Sequence, residues 1–325
     1  MPQRISTALL IAVGSLIAAP GPAAAQSFGI SLPTHNGQLK WEANGFRIVQ
    51  SSAKPNDDEI GVRGKNESAR WMFLGFLFTV SGQTQLTSAK CRDDAMAETK
   101  RENPSLRFLA DSEIATPTEI PVEFVSYQAA AGSHQIVFSA RGFAAKGDLC
   151  GDLEVYSDSP LSPTNGPLKQ IFESLRLDPN YQPQFRDVLL YAQLLYEEQV
   201  YKSAAPLFEL ALAKLPDDPS QIPMRRALTD QAGMSYGIAG DIPKSRAIFE
   251  SAIAKDSEYP LYYYNLACAD AQEHKLSAAR LHLQEAFARK ANVLPGESMP
   301  QPAKDGSFLP YRNDKSFWAF IESLH

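Results

Sequence analysis

From Phe185 onward the apolar positions recur at the three-to-four spacing of amphipathic helices, and the whole pattern then returns on itself. Laying Phe185, Arg226 and Pro260 over one another aligns small residues at Ala192, Gly233 and Ala267, and again at Ala204, Ser245 and Ala279. Bulky apolar residues follow in register at Phe208, Phe249 and Leu283, then alanines at Ala211, Ala252 and Ala286. Small residues let two helices cross closely, and the large residue a turn further on fills the neighbouring hole. The second and third copies start 34 residues apart, at Arg226 and Pro260, and the first two 41 apart, at Phe185 and Arg226. The first copy therefore carries an insertion, placed near Asp217 to Pro223.

The half before Phe185 has a different rhythm. Trp71 to Val80 is almost wholly apolar and does not alternate, which predicts a strand covered on both faces. Val122 to Tyr127, Gln135 to Ala140 and Leu149 to Tyr156 are shorter strand candidates. Phe46 to Gln50 is expected to pair with Glu59 to Arg63 across a turn marked by Pro55, Asp57 and Asp58, and Gly132 marks a later turn. Ser88 to Glu102 reads as a helix with Ser88 as its N-cap. Pro167 to Leu177 reads as a second helix, whose Leu168, Ile171, Phe172 and Leu175 form one apolar stripe for the sheet.

A period of 34 residues built from two helices resembles the tetratricopeptide repeat family. Gly233 and Tyr236 keep that family's G-x-x-Y spacing. Val188, Thr229 and Tyr263 stand where its first-helix Trp would be, Gln199 and His274 replace the turn Gly, and Ser257 and Ala291 replace the final Pro. The N-terminal half looks like the PsbP-type fold in element order. The residues carrying that likeness are Cys91-Arg92, the strand Cys150 to Val155, and Leu168 to Pro179. A β-sandwich is the competing arrangement. The expected fold class is α+β: an N-terminal α/β/α sandwich with an antiparallel sheet over 26–180, then an all-α repeat array of three helix-turn-helix units over 183–291. Three repeats expose an apolar end that needs a cap. Residues 292–325 are expected to supply one as a loop and a helix capped by Asp314, with Phe317, Phe320, Ile321 and Leu324 on one face. The alternative is an exposed helix that docks on a partner.

The first 25 residues change the compartment. Arg4, the apolar run Ala8 to Ala19, the break at Pro20 to Pro22 and the small residues Ala23 to Ala25 have the form of a secretory signal peptide cut before Gln26. The apolar run is short of the 18 to 20 residues that span a bilayer. The expected location is exported, periplasmic or secreted, with no transmembrane segment. The full chain has 325 residues and a net charge of −6, with no basic patch, which argues against nucleic acid as a partner. Export also places Cys91, Cys150 and Cys268 where a disulfide persists. Cys268 sits among Ala and Leu of a repeat and reads as a small buried hydrophobe. Cys91 and Cys150 remain as the expected pair, against two unrelated buried thiols.

Catalytic chemistry finds no motif. His35, His134, His274, His282 and His325 have no metal-ligand spacing, and His274 and His282 read as solvated. Gly61 to Asn66 lacks the spacing and hydroxyl of a phosphate loop, and Asp57, Asp58 and Glu59 read as a solvated turn rather than a calcium site. No catalytic, metal or cofactor residue is expected. The repeat resemblance implies a groove lined from the first helix of each repeat, which maps to Arg186, Leu189 and Gln193, then Asp230 and Met234, then Leu261 and Tyr264. Such a mixed groove suits an amphipathic helix or an extended peptide. The same residues would serve equally as internal packing. The expected function is an exported, non-enzymatic protein-binding or scaffold protein with a protein or peptide partner. The alternative is an N-terminal small-ligand, metal-binding or enzymatic module that the repeats position.

Overall fold

A computed structural model of the chain describes residues 26–54, 58–114, 116, 119–131, 135–161 and 166–324. Residues 1–25, on which the expected signal peptide falls, and Pro55, Asp57, Gly132, His134 and His325 lie outside the described residues. Among the described residues the chain divides into two compact units, one up to Leu194 and one from Leu195 onward.

The first unit holds strands β1 (Ser27–Ser31), β2 (Gln38–Glu42), β3 (Arg47–Lys54), β4 (Glu59–Asn66), β5 (Trp71–Thr79), β6 (Leu86–Thr87), β7 (Arg107–Ile114), β8 (Val122–Ala131), β9 (Gln135–Gly147), β10 (Leu149–Ser157) and β11 (Arg176–Asp178). Its helices are α1 (Ser88–Glu102) and α2 (Gly166–Ser174). The large sheet runs β3-β4-β5-β10-β9-β8-β7, with β6 pairing β9, and a small sheet runs β1-β2-β11. Every pairing is antiparallel.

Helix α1 covers one face of the large sheet, where Cys91 and Met96 pack with Phe143, Ala145 and Cys150. Cys91 and Cys150 form a disulfide, Cα to Cα 6.1 Å, that ties α1 to β10. The small sheet and α2 cover the other face. There Trp41 meets Phe73 edge to face with ring centres 5.4 Å apart. A Cβ on Gly142 would fall 2.7 Å from the Phe172 ring, so glycine is what lets α2 approach the sheet. The α+β class holds, with helix and small sheet sharing one outer layer.

Several local expectations change. In β5, Phe73, Gly75 and Leu77 are buried while their neighbours are half-buried, so the strand alternates after all. Thr87, not Ser88, caps α1, its Oγ accepting from the Lys90 amide at 3.2 Å. Ser88 turns inward instead and accepts from the Ala145 amide at 3.0 Å. Helix α2 stops at Ser174, and Leu177 belongs to β11, paired with Leu39 of β2. Asp58 is no free turn acid, since Thr34 donates to it at 2.9 Å and His35 pairs with it at 3.1 Å.

Helix α3 (Phe185–Glu197) contains the division between units. The second unit continues with α4 (Tyr201–Lys214), α5 (Ile222–Ile238), α6 (Ile242–Lys255), α7 (Pro260–Gln272), α8 (Leu276–Ala288) and α9 (Lys315–Glu322), a helical array. A Cβ on Gly233 would fall 2.3 Å from the Phe249 ring, so α5 and α6 cross at the predicted small-against-large contact. Gln199, Gly240 and His274 all have left-handed backbones, with φ of 64°, 91° and 60°. Each helix hairpin thus turns through the same conformation, at the repeat spacing, whether or not glycine occupies the position. At the array's end Phe317 and Ile321 of α9 pack with Leu283, Ala286 and Phe308. Asp314 caps that helix, accepting from the Phe317 amide at 2.9 Å.

Candidate functional site

Asp230 and Met234 sit one turn apart on α5, and Leu261, Tyr264, Asn265 and Cys268 fall at three-to-four spacing on α7, so each set shares a helix face. The two faces adjoin, because Asn265 Nδ2 donates to Asp230 Oδ1 at 2.6 Å. Met234 and Leu261 border one cluster with Phe249, Tyr259, Tyr262 and Leu266. Arg186, Leu189 and Gln193 belong to α3 in the first unit, where Leu189 is buried and Arg186 is exposed.

The inner face of α5 and α7 is not bare. Residues 294–307 run along it as a strap with one short 3₁₀ turn, Pro302–Lys304. Leu294 joins the cluster around Tyr259. Tyr259 donates to Glu297 Oε2 at 2.9 Å, and Tyr264 donates to Asp305 Oδ2 at 2.9 Å. Tyr264 is therefore only 2% exposed, covered by the strap rather than offered to solvent. Further along, Tyr311 donates to the Ala271 carbonyl and meets His274 Nδ1 at 2.7 Å. The strap follows α7 from Tyr259 to His274 in the same direction as the chain.

The electrostatics follow from this covering. Burial pushes the Asp230 carboxyl up to about 8; the Glu297 carboxylate adds to the rise, and the Asn265 hydrogen bond opposes it. Burial, then the carboxylates of Asp230 and Glu297, raise the Tyr259 hydroxyl. Burial pushes the Cys268 thiol up, with Asp305 adding to it, so the group is a poor nucleophile.

A pH dependence follows. The folded array keeps a proton on Asp230 that the unfolded chain releases near pH 4. This contribution to stability is complete below about pH 4 and is lost as pH rises toward about 8. The loss has an upper slope of about 1.4 kcal/mol per pH unit. Melting of the array should be lower at pH 8 than at pH 5, and Asp230→Asn should flatten the difference. An unchanged slope in that variant would assign the effect to other groups.

Other candidate chemistry is locked in structure. His282 Nδ1 meets Asp270 Oδ2 at 2.6 Å, so neither it nor His274 is simply solvated. Among the described residues no group of three or more His, Cys, Asp or Glu is placed to hold a metal ion. In the first unit a cleft of about 480 Å³ lies between α1 and β7, lined by Arg92, Met96, Lys100, Phe108 and Leu109. Its cations are engaged: Arg92 pairs with Glu123 at 2.5 Å and Lys100 lies over the Phe108 ring. Among the described residues no helix is long and apolar enough to cross a membrane.

The strap was missed by sequence reasoning. Pro295 to Pro302 reads as a plain loop. The available signal was two tyrosines on a buried helix face, whose hydroxyls require acceptors.

No family model matches the chain, and no curated protein matches it. Among solved structures it is similar to the cyanobacterial PsbP protein of Synechocystis, at 10% identity and a TM-score of 0.35 over 51% of this chain and 100% of that one. A protein of Bacteroides thetaiotaomicron matches at 10% identity and a TM-score of 0.34, over 66% of this chain and 78% of that one. A multi-domain immunophilin from Arabidopsis thaliana matches at 8% identity and a TM-score of 0.26, over 82% of this chain and 98% of that one.

Proposed function

We propose that the chain is an exported, non-enzymatic protein-binding or scaffold protein, built on tetratricopeptide-like repeats that hold an extended peptide on the inner face of α5 and α7. One observation carries the reading: that face already holds a run of non-α-helical chain, residues 294–307, through side-chain contacts. The left-handed residues at Gln199, Gly240 and His274 support the repeat likeness. The Cys91–Cys150 disulfide supports an oxidising compartment.

The test uses the native chain as bait in the extracytoplasmic fraction of its own cell. A specific protein partner should bind it about tenfold or more tighter than it binds the Asp230→Arg/Met234→Glu chain. Circular dichroism must show both baits folded. Equal affinity for the two chains would remove the inner face from the binding role.

A further inference from the structure

The large sheet ends at β7, and the two sides of that strand differ. Its inner side is paired to β8 from Arg107 to Ile114, with Leu109 as a bulge between Phe108 and Ala110. The backbone on its outer side has no hydrogen-bond partner among the described residues. Every residue over 107–113 is exposed. An open row of amides and carbonyls is a template for another strand. Beside the row lies the cleft of about 480 Å³ between β7 and α1. Buried Met96 and Val125 form its floor, and exposed Phe108 and Leu109 stand at its mouth. A strand edge next to such a cleft holds an extended chain by its backbone and takes every second side chain into the cleft.

The charges along this face are one-sided. Asp111 lines the cleft, and Glu113, two residues on, shares its face. Glu113 stands directly opposite Glu123 of β8, and like charges so placed repel. The nearby Arg92 is committed to Glu123 at 2.5 Å and to Asp93 at 2.8 Å. It acts on Asp111 only from beyond contact distance. Among the described residues neither Asp111 nor Glu113 has an ion pair. Lys100 lies over the Phe108 ring, at the other end of the strand. Asp93, Asp111, Glu113 and Glu123 thus stand against Arg92 alone. A second copy of β7 would add its own Asp111 and Glu113 to this edge, so self-pairing is opposed and a basic strand is favoured.

We propose that β7 is a strand-addition site for an extended basic segment of a partner protein, which pairs antiparallel along residues 110–114 and sets basic side chains on Glu113 and Asp111. Directly opposed residues of an antiparallel pair share a face. A residue i on Glu113 therefore puts i+2 on Asp111 and i+4 over Leu109. The recognised pattern is basic, any, basic, any, apolar, with the apolar side chain entering the cleft. The bulge at Leu109 ends the regular pairing there. This surface belongs wholly to the first unit and is separate from the groove proposed for the repeats.

The experiment uses the full chain and the fluorescein-labelled synthetic peptide Thr-Lys-Thr-Lys-Thr-Leu-Thr, read by fluorescence anisotropy. The native chain should bind it about fivefold or more tighter than the Asp111→Asn/Glu113→Gln chain does. Both substituted positions are exposed, and circular dichroism should show the variant folded. A peptide with glutamate in place of both lysines should not bind. Two further peptides carry backbone N-methyl groups, one on its lysines and one on its threonines. Alternate amides of an added strand face its neighbour, so at least one of these two should lose binding. The Asp230→Arg/Met234→Glu chain should bind the lysine peptide as the native chain does. Equal binding by the native and Asp111→Asn/Glu113→Gln chains, or no saturable binding by the native chain, overturns the proposal. So does a glutamate peptide that binds as well, or full binding by both methylated peptides. Loss of binding in the Asp230→Arg/Met234→Glu chain alone places the peptide on the repeats and overturns it too.

Discussion

Replacing Cys91 and Cys150 together by serine is expected to lower the stability of the first unit by about 4 kcal/mol. The two cysteines are 59 residues apart, and the bond between them removes the freedom of that loop from the unfolded chain. The loop contains α1, β7, β8 and β9, and so most of one edge of the large sheet and the helix that covers it. Both sulfurs are buried, in a core shared with Met96, Leu106, Val125 and Phe143. Serine there also places a hydroxyl among apolar groups, which adds to the loss. Urea titration followed by tryptophan fluorescence measures this in a Trp318→Phe background, because the remaining Trp41 and Trp71 belong to the first unit. Helical circular dichroism follows the second unit alongside. The first transition should move to lower urea in the double variant, and in the native chain under reducing conditions. A midpoint that ignores both changes would show that the loop is already constrained without the bond.

Asp270→Ala should be the most damaging single change in the array, by about 3 to 5 kcal/mol. Asp270 lies on α7 and is 1% exposed. Its Oδ1 accepts from Arg246 of α6 at 2.6 Å, and its Oδ2 meets His282 of α8 at 2.6 Å. One carboxylate thus joins three consecutive helices. Removing it leaves the Arg246 guanidinium, itself largely covered, with Glu273 at 2.5 Å as its remaining close partner. Asp270→Asn keeps the shape and one acceptor and should fall between the native chain and alanine. Thermal melts of the three chains provide the check, and a cycle with His282→Ala separates the two contacts of the carboxylate. A loss below about 1 kcal/mol for alanine would show that water replaces the carboxylate without difficulty.

What could be read from the sequence, and what could not, follows from periodicity. The helical array was legible because each helix must present small and large residues at fixed intervals, and the pairing of Gly233 with Phe249 is one such requirement met in space. The three left-handed turn positions were legible by register even though Gln199 and His274 are poor residues for the role. β7 was not, because nearly all its residues are exposed and an uncovered strand has no alternation to reveal. The small sheet was not, because its strands are five residues or fewer and pair across most of the unit. Leu177 fits the stripe of α2 and the face of β11 equally well, so pattern alone did not end the helix correctly. The placing of Asp230 and Met234 on one helix face and of Leu261 and Tyr264 on the next followed from register, and the strap beside them did not. A chain that docks through two carboxylates and a few apolar contacts carries no repeat. The Asp270–His282 contact was hidden for a similar reason, since it forms between antiparallel helices and not within one.

The pairing of β11 with β2 places Asp178 opposite Gln38 and Arg176 opposite Lys40. The small sheet therefore joins the start of the first unit to its end, and most of that unit must be present before the sheet closes. Contacts so distant in sequence form slowly, because the loop entropy is lost before the pairing returns anything. The helical array is the opposite case, since each hairpin closes with its neighbour a few tens of residues away. For a chain made from its N-terminus, the part that appears first is thus the part that finishes later. Residues 27–42 wait, unpaired with β11, until Arg176–Asp178 emerge, and during that interval the first unit is the one exposed to misassembly and to premature oxidation of Cys91.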